Sequence, residues 1–185
     1  VKVMQKINKD DAEPSVLEIP VNMFASKMTN AGKPNPAYES IERVMNEYKS
    51  IAAVGEDHAD RVRISKGSIS MNDYWSTPET LVSYPRIRAS FVNTVRADEL
   101  DSKATFNVEF VVGGITPDVD KEGVETGRLK IAAILPQYGG KVDVVEFMAN
   151  DPNVKDAVSN YWQKGDSVKA SGRLDFTSST ISEII

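Results

Sequence analysis

Basic residues recur at strand spacing in four places: Arg61 with Arg63, Arg86 with Arg88, Arg128 with Lys130, and Lys169 with Arg173 on either side of Ser171. In an extended strand, positions two apart point to the same side. Each pair therefore sets two cations on one face. The intervening Val62, Ile64, Ile87, Ala89, Leu129, Ile131, Ala170 and Gly172 are small or apolar and suit the core side. Aromatic residues stand near these strands, and Tyr74, Trp75 and Tyr138 lie beside the turn-like Asn72-Asp73 and Gly139-Gly140, with Lys141 next in line. Cations that meet phosphates, together with rings on which bases stack for ~1–3 kcal/mol each, are what a single-stranded nucleic acid requires. Phe91 and Phe176 read equally well as core. A plainer reading competes, because any half-exposed strand alternates and Lys or Arg is an ordinary choice for its wet side. Glu109 and Asp143 fall on the same outer faces.

Other chemistries find less support. The chain has no Cys and one His, His58, set in the polar Gly55-Glu56-Asp57-His58-Ala59-Asp60. Thiol catalysis, disulfides, zinc fingers and Ser-His mechanisms are thereby disfavoured. Asp118-Val119-Asp120-Lys121-Glu122-Gly123 imitates the start of an EF-hand calcium loop, but the twelfth position is Leu129, and a strand follows where that motif needs a helix. A flexible acidic loop is expected instead. Gly139-Gly140-Lys141 lacks the earlier glycine and the following Ser or Thr of a phosphate loop, so it reads as a hairpin turn. Asp98 with Glu99 could hold magnesium only by their adjacency. No catalytic residue, metal or cofactor is expected, and the protein reads as a non-enzyme.

The elements that must position these residues follow from patterning. The sequence has 185 residues and a mass of 20.3 kDa, 41% hydrophobic and 26% charged, with a formal charge of −5, enough to build a core. Acids gather at 10–13, 56–60, 98–101 and 118–125, which leaves room for a local basic face on a net-acidic chain. No run nears the ~18 apolar residues of a membrane helix, so no membrane association is expected and the expected compartment is the cytoplasm. Residues 1–60 read as an N-terminal extension: Ser15 to Met28 is ambiguous between strand and helix, and one amphipathic helix starts at Asn35-Pro36, carries Ile41, Val44, Met45, Tyr48 and Ile51 on one face, and ends at Gly55. Residues 61–185 read as a sheet domain with strands expected over 61–71, 86–95, 104–115, 127–135, 142–148, 166–176 and 181–185. A helix capped by Asp151 interrupts them and ends at Gly165. Three strands, a helix and two strands is the element order of an oligonucleotide/oligosaccharide-binding (OB) barrel. The expected fold is mainly β: a five-stranded OB barrel with extra strands and an N-terminal helical extension.

Thr126-Gly127-Arg128-Leu129-Lys130, Pro136-Gln137-Tyr138-Gly139-Gly140-Lys141-Val142 and Gly165-Asp166-Ser167-Val168-Lys169-Ala170-Ser171-Gly172 resemble a group of bacteriophage-type proteins from Gram-positive hosts that carry an OB barrel and are regarded as single-stranded DNA-binding proteins. The similarity extends through Arg61–Gly67 and Pro85–Phe91, covering roughly residues 61–176. It implies binding of single-stranded DNA without strong sequence preference, in DNA replication or recombination within a bacterial host cell, with replication or recombination proteins as further partners. Replicative proteins of this kind often end in an acidic tail, whereas this sequence closes on Ile181-Ser182-Glu183-Ile184-Ile185. The expected contacts are Arg61, Arg63, Arg86, Arg88, Arg128, Lys130, Lys141, Lys169 and Arg173 for phosphates and Tyr74, Trp75 and Tyr138 for bases. The oligomeric state stays open, a homodimer included. Two other readings fit the same sequence: a structural or protein-binding barrel, such as a virion component or assembly adaptor, and a metal-dependent nuclease using acidic loop residues.

Overall fold

Asn35 and Pro36 start the first helix as their types require: the Asn35 side chain accepts from the backbone N–H of Ala37 (3.1 Å), and Pro36 takes the first position of α1, Pro36–Asn46. The helix stops well short of Gly55. The Tyr48 hydroxyl donates to the Val92 carbonyl (2.9 Å) and the Lys49 N–H to the Asp60 carboxylate (2.7 Å). These bonds draw the chain out of the helix, and Ser50 caps a separate short helix α2, Ile51–Val54. The computed structural model describes residues 1–5, 15–96, 98 and 103–174.

The stretch from Ser15 onward is extended, not helical. Strands β1 (Lys2–Gln5) and β2 (Ser15–Glu18) pair antiparallel, and β3 (Val21–Asn22) pairs parallel with β5 (Thr80–Thr94), Val21 opposite Ile87 and Asn22 opposite Arg88. Leu17 and Ile19, two apart, are both buried, which is the period of a strand. The expected helical extension over 1–60 is therefore replaced by a mixed segment whose strand β3 belongs to the same sheet as β5 and β4 (Val62–Thr77). Strands β4 and β5 form one long hairpin around Pro78-Glu79. Both run longer than their expected spans, since Thr, Ser and Tyr through 72–84 sustain a strand without strict alternation.

The second sheet has the order β8-β7-β6-β9, from β6 (Thr105–Val119), β7 (Glu125–Pro136), β8 (Val142–Ala149) and β9 (Ser167–Arg173). The first three form an antiparallel meander. Helix α3 (Pro152–Tyr161), capped by Asp151, precedes β9, which returns antiparallel beside β6: Val112 N–H donates to the Asp166 carbonyl and Leu174 N–H to the Ala104 carbonyl, both 2.9 Å. The fold is thus mainly β with open sheets among the described residues, and barrel closure is not among them. The expected strand over 181–185 and the Phe176 end of the sixth lie outside the described residues.

The chain divides into two compact units, one of Val1–Ile69, Arg86–Ala104 and Arg173–Ile185, the other of Ser70–Pro85 and Thr105–Gly172. A cut at residue 60 would separate β3 from its partner β5. In the first unit α1 is tied to β5 at Val92, whose N–H donates to the buried Ser40 hydroxyl (3.4 Å) and whose carbonyl receives Tyr48. In the second, Phe147 stacks on Phe106 (centroids 4.8 Å apart) and leans on Phe110 (5.5 Å), which meets Trp162 edge-on (5.9 Å), with Val158 of α3 buried in the same core. Gly172 is needed there. A Cβ on it would lie 2.6 Å from Phe106 Cζ.

Candidate nucleic-acid interface

In the first unit the alternation expected of the hairpin holds where it is flanked by β3. Arg61, Arg63 and Arg88 are exposed and Arg86 is half-buried, while Ile87 and Ala89 are buried and Val62 and Ile64 half-buried. Residues 61–69 and 86–96 contain six cations, Arg61, Arg63, Lys66, Arg86, Arg88 and Arg96, and no acid. Arg96 is held by Asp98 at 3.1 Å. Neither Arg61 nor Arg88 has a carboxylate partner among the described residues. Arg61 also borders an open cavity of about 1030 Å³ whose other charged lining is Lys2 and Lys49 with Glu18, Glu56, Asp57 and Asp60. That balance of charges makes the cavity no site for an anion.

One exposed aromatic close in sequence to β3 was not singled out by patterning. Phe24 is 88% exposed and follows β3 by two residues, just past the point where Asn22 lies opposite Arg88. The signal was present in Val21-Asn22-Met23-Phe24, a short extended run holding an aromatic, but the helix-or-strand ambiguity of that stretch hid it.

Arg63 and Arg86 also make interactions within the protein, and on β7 and β9 the cations meet carboxylates. Arg128 donates to Asp118 Oδ2 through Nη2 (2.6 Å) and Nε (2.9 Å), Thr126 Oγ1 donates to the same oxygen (2.7 Å), and Lys130 Nζ lies 4.0 Å from Oδ1 and 3.6 Å from Glu146. Asp118 is not in a flexible loop: it is the penultimate residue of β6, its side chain is 6% exposed, and it sits where three residues of β7, Thr126 to Arg128, span one position of β6. Gly127, at φ 77°, allows that bulge, and Lys155 of α3 donates to its carbonyl (2.6 Å). The two hydrogen bonds from Thr126 and Arg128, then the charges of Arg128 and Lys130, outweigh desolvation and hold the Asp118 carboxyl below its ordinary 3.8. The acidic turn beyond it is ordered too, with Asp120 accepting from the Glu122 and Val124 N–H groups. Lys169 lies 3.4 Å from Glu109. Arg128, Lys130 and Lys169 are therefore partnered by carboxylates; Arg173, at the end of β9 and grouped with the first unit, is exposed and also makes an interaction within the protein.

The Gly139-Gly140 turn joins β7 to β8 as expected, with both glycines at positive φ and Tyr138 at its tip 92% exposed. Lys141 is exposed beside it. Tyr74 and Trp75 are exposed on the far part of the β4–β5 hairpin, where Tyr74 meets Tyr84 edge-on (6.3 Å). No Lys or Arg occurs anywhere in residues 70–85. His58 is exposed in its polar loop. Among the described residues no three His, Asp or Glu side chains converge as a metal site, and no helix is long and apolar enough to cross a membrane.

A protein-family model, YorF, matches residues 1–180. The chain belongs to the YorF family. No curated protein and no solved structure matches it. The family match spans β1 to β9.

Proposed function

We infer that the protein binds single-stranded DNA without strong sequence preference, as a non-enzymatic participant in phage-type DNA replication or recombination. The observation that carries this reading is the set of outward cations on β4 and β5, drawn from two segments, 61–69 and 86–96, that contain no acid. Arg61, Arg63, Arg86 and Arg88 would track phosphates there, and Phe24 would offer a base a stacking surface. Tyr138 with Lys141 is a second, smaller pairing of ring and cation. The order β6-β7-β8-α3-β9, with β9 returning beside β6, supports an OB-type arrangement for the second unit, a fold that commonly receives oligonucleotides. A single strand suits this surface better than a duplex, because only unpaired bases present their faces to a ring.

The phosphate role falls less on Arg128, Lys130 and Lys169 than the spacing implies, because each already faces a carboxylate and a phosphate would have to compete for it. Charge reversal separates the two sets. In a fluorescence titration with an unstructured oligonucleotide, R61E/R88E is expected to weaken binding roughly thirtyfold, on ~1 kcal/mol lost at each phosphate, with the fold intact. K169E, which removes a cation already paired with Glu109, is expected to change affinity less than threefold. Equal effects from the two variants would show that net charge, not the β4–β5 face, governs binding.

A further inference from the structure

The sheet β8-β7-β6-β9 turns one face to the core, where Val112, Ile131, Ala133, Leu135, Val145 and Ala149 are buried. Its register fixes what stands on the other face: Lys130 lies opposite Met148, Ala132 opposite Glu146, Ile134 opposite Val144 and Pro136 opposite Val142, with Val111 of β6 beside Ile134. The outer face of an antiparallel sheet is ordinarily polar. Here Val142 is 60%, Val144 52% and Met148 45% exposed, Pro136 is exposed too, and Ile134 and Val111 are half-buried. The charges on this stretch of β7 and β8, Lys130 and Glu146, lie 3.6 Å apart and offset each other. Aliphatic side chains offer a base no ring and a phosphate no charge, so this face is not explained by nucleic-acid binding. Contiguous exposed apolar surface marks a place where another surface docks.

We propose that the outer face of β7 and β8 packs on the same face of a second copy of this chain, about a two-fold axis that runs across the strands, between the two sheets, at Ile134 and Val144. A second copy is the occupant because the face complements itself about that line. The strands of the two copies then run antiparallel, and residues equally far on either side of the axis meet. Val142 meets the aliphatic stem of Glu146, Pro136 meets Ala132, and Tyr138, in the turn four residues beyond Ile134, comes to Lys130, four residues before it. Tyr138 is 92% exposed, and a ring attracts an ammonium over its face. The parallel arrangement would instead set Glu146 on Glu146 and Lys130 on Lys130, so charge decides the orientation. Two sheets joined in this way form the layers of a sandwich, about 10 Å apart. Every residue of the contact belongs to the second unit, and the contact needs no nucleic acid.

Sedimentation of the full chain reads this directly. The wild type is expected to move from 20.3 kDa to about twice that mass as concentration rises, and to do so alike at about 50 mM and about 0.5 M salt, because an apolar contact does not depend on unscreened charge. V144D, at an exposed position, is expected to remain monomeric with unchanged circular dichroism. The chain has no cysteine, so V144C places a single thiol of each copy beside the axis. A bismaleimide long enough for the ~10 Å between packed sheets is expected to link most of V144C as dimer and to leave Y161C, at an exposed position of α3, unlinked. A monomeric wild type at every concentration would overturn the proposal and leave the face to another protein or to lipid. A V144D that still dimerises, a dimer lost in salt, or equal linking of V144C and Y161C would overturn it as well, each by taking the contact away from this apolar face.

Discussion

Asp118 shows what a single residue decides in this protein. Its carboxylate receives Thr126 and Arg128 and lies near Lys130, so it stabilises the fold in its charged form. Its carboxyl is held below 3.8, the direction in which stability is full above the unfolded-state value and is lost as pH falls through the folded-state value. Thermal unfolding is therefore expected to move to lower temperature as pH falls from about 5 to below 4, and D118N is expected to be less stable at neutral pH and to lose part of that pH dependence. An identical acid profile for D118N and wild type would count against this role. From sequence, Asp118 reads as one acid among several in a turn, because Asp-x-Asp-x-Glu-Gly is turn-like composition and nothing in a strand's period reveals that a bulge at Gly127 turns Thr126 and Arg128 onto one oxygen. Arg128 and Lys130 were legible as an outward-facing pair. Their partner was not.

The elements were legible where side-chain period and caps agree. Pro36 and Pro152 with Asn35 and Asp151 fix both helix starts, and the alternation through 86–89 and 128–131 fixes which side of β5 and β7 is wet. The end of α1 was not legible, since the bonds of Tyr48 to Val92 and Lys49 to Asp60 join residues far apart in sequence. Two variants test element-level claims. G172A would push a methyl group into the Phe106 ring and is expected to cost about 1–3 kcal/mol by overcrowding, measured by denaturant unfolding. Indifference to that change would mean the β6–β9 contact yields easily. F24A, at an exposed position, is expected to leave stability within about 0.5 kcal/mol while weakening oligonucleotide binding about tenfold through one lost stack. Unchanged affinity would remove Phe24 from the site.

At the scale of the whole molecule, a formal charge of −5 masks a cationic segment without acids, and local arrangement outweighs the net figure at contact distance because salt screens charges beyond about 10 Å. The central claim, that the β4–β5 face binds single-stranded DNA, is tested most directly by the salt dependence of wild-type affinity for a single strand and for a duplex of equal length. With four arginines at phosphates and ~−0.7 per contact, the log–log slope for the single strand is expected near −3, with the single strand bound more tightly than the duplex at physiological salt. A slope near zero, or equal affinity for the two, would contradict it.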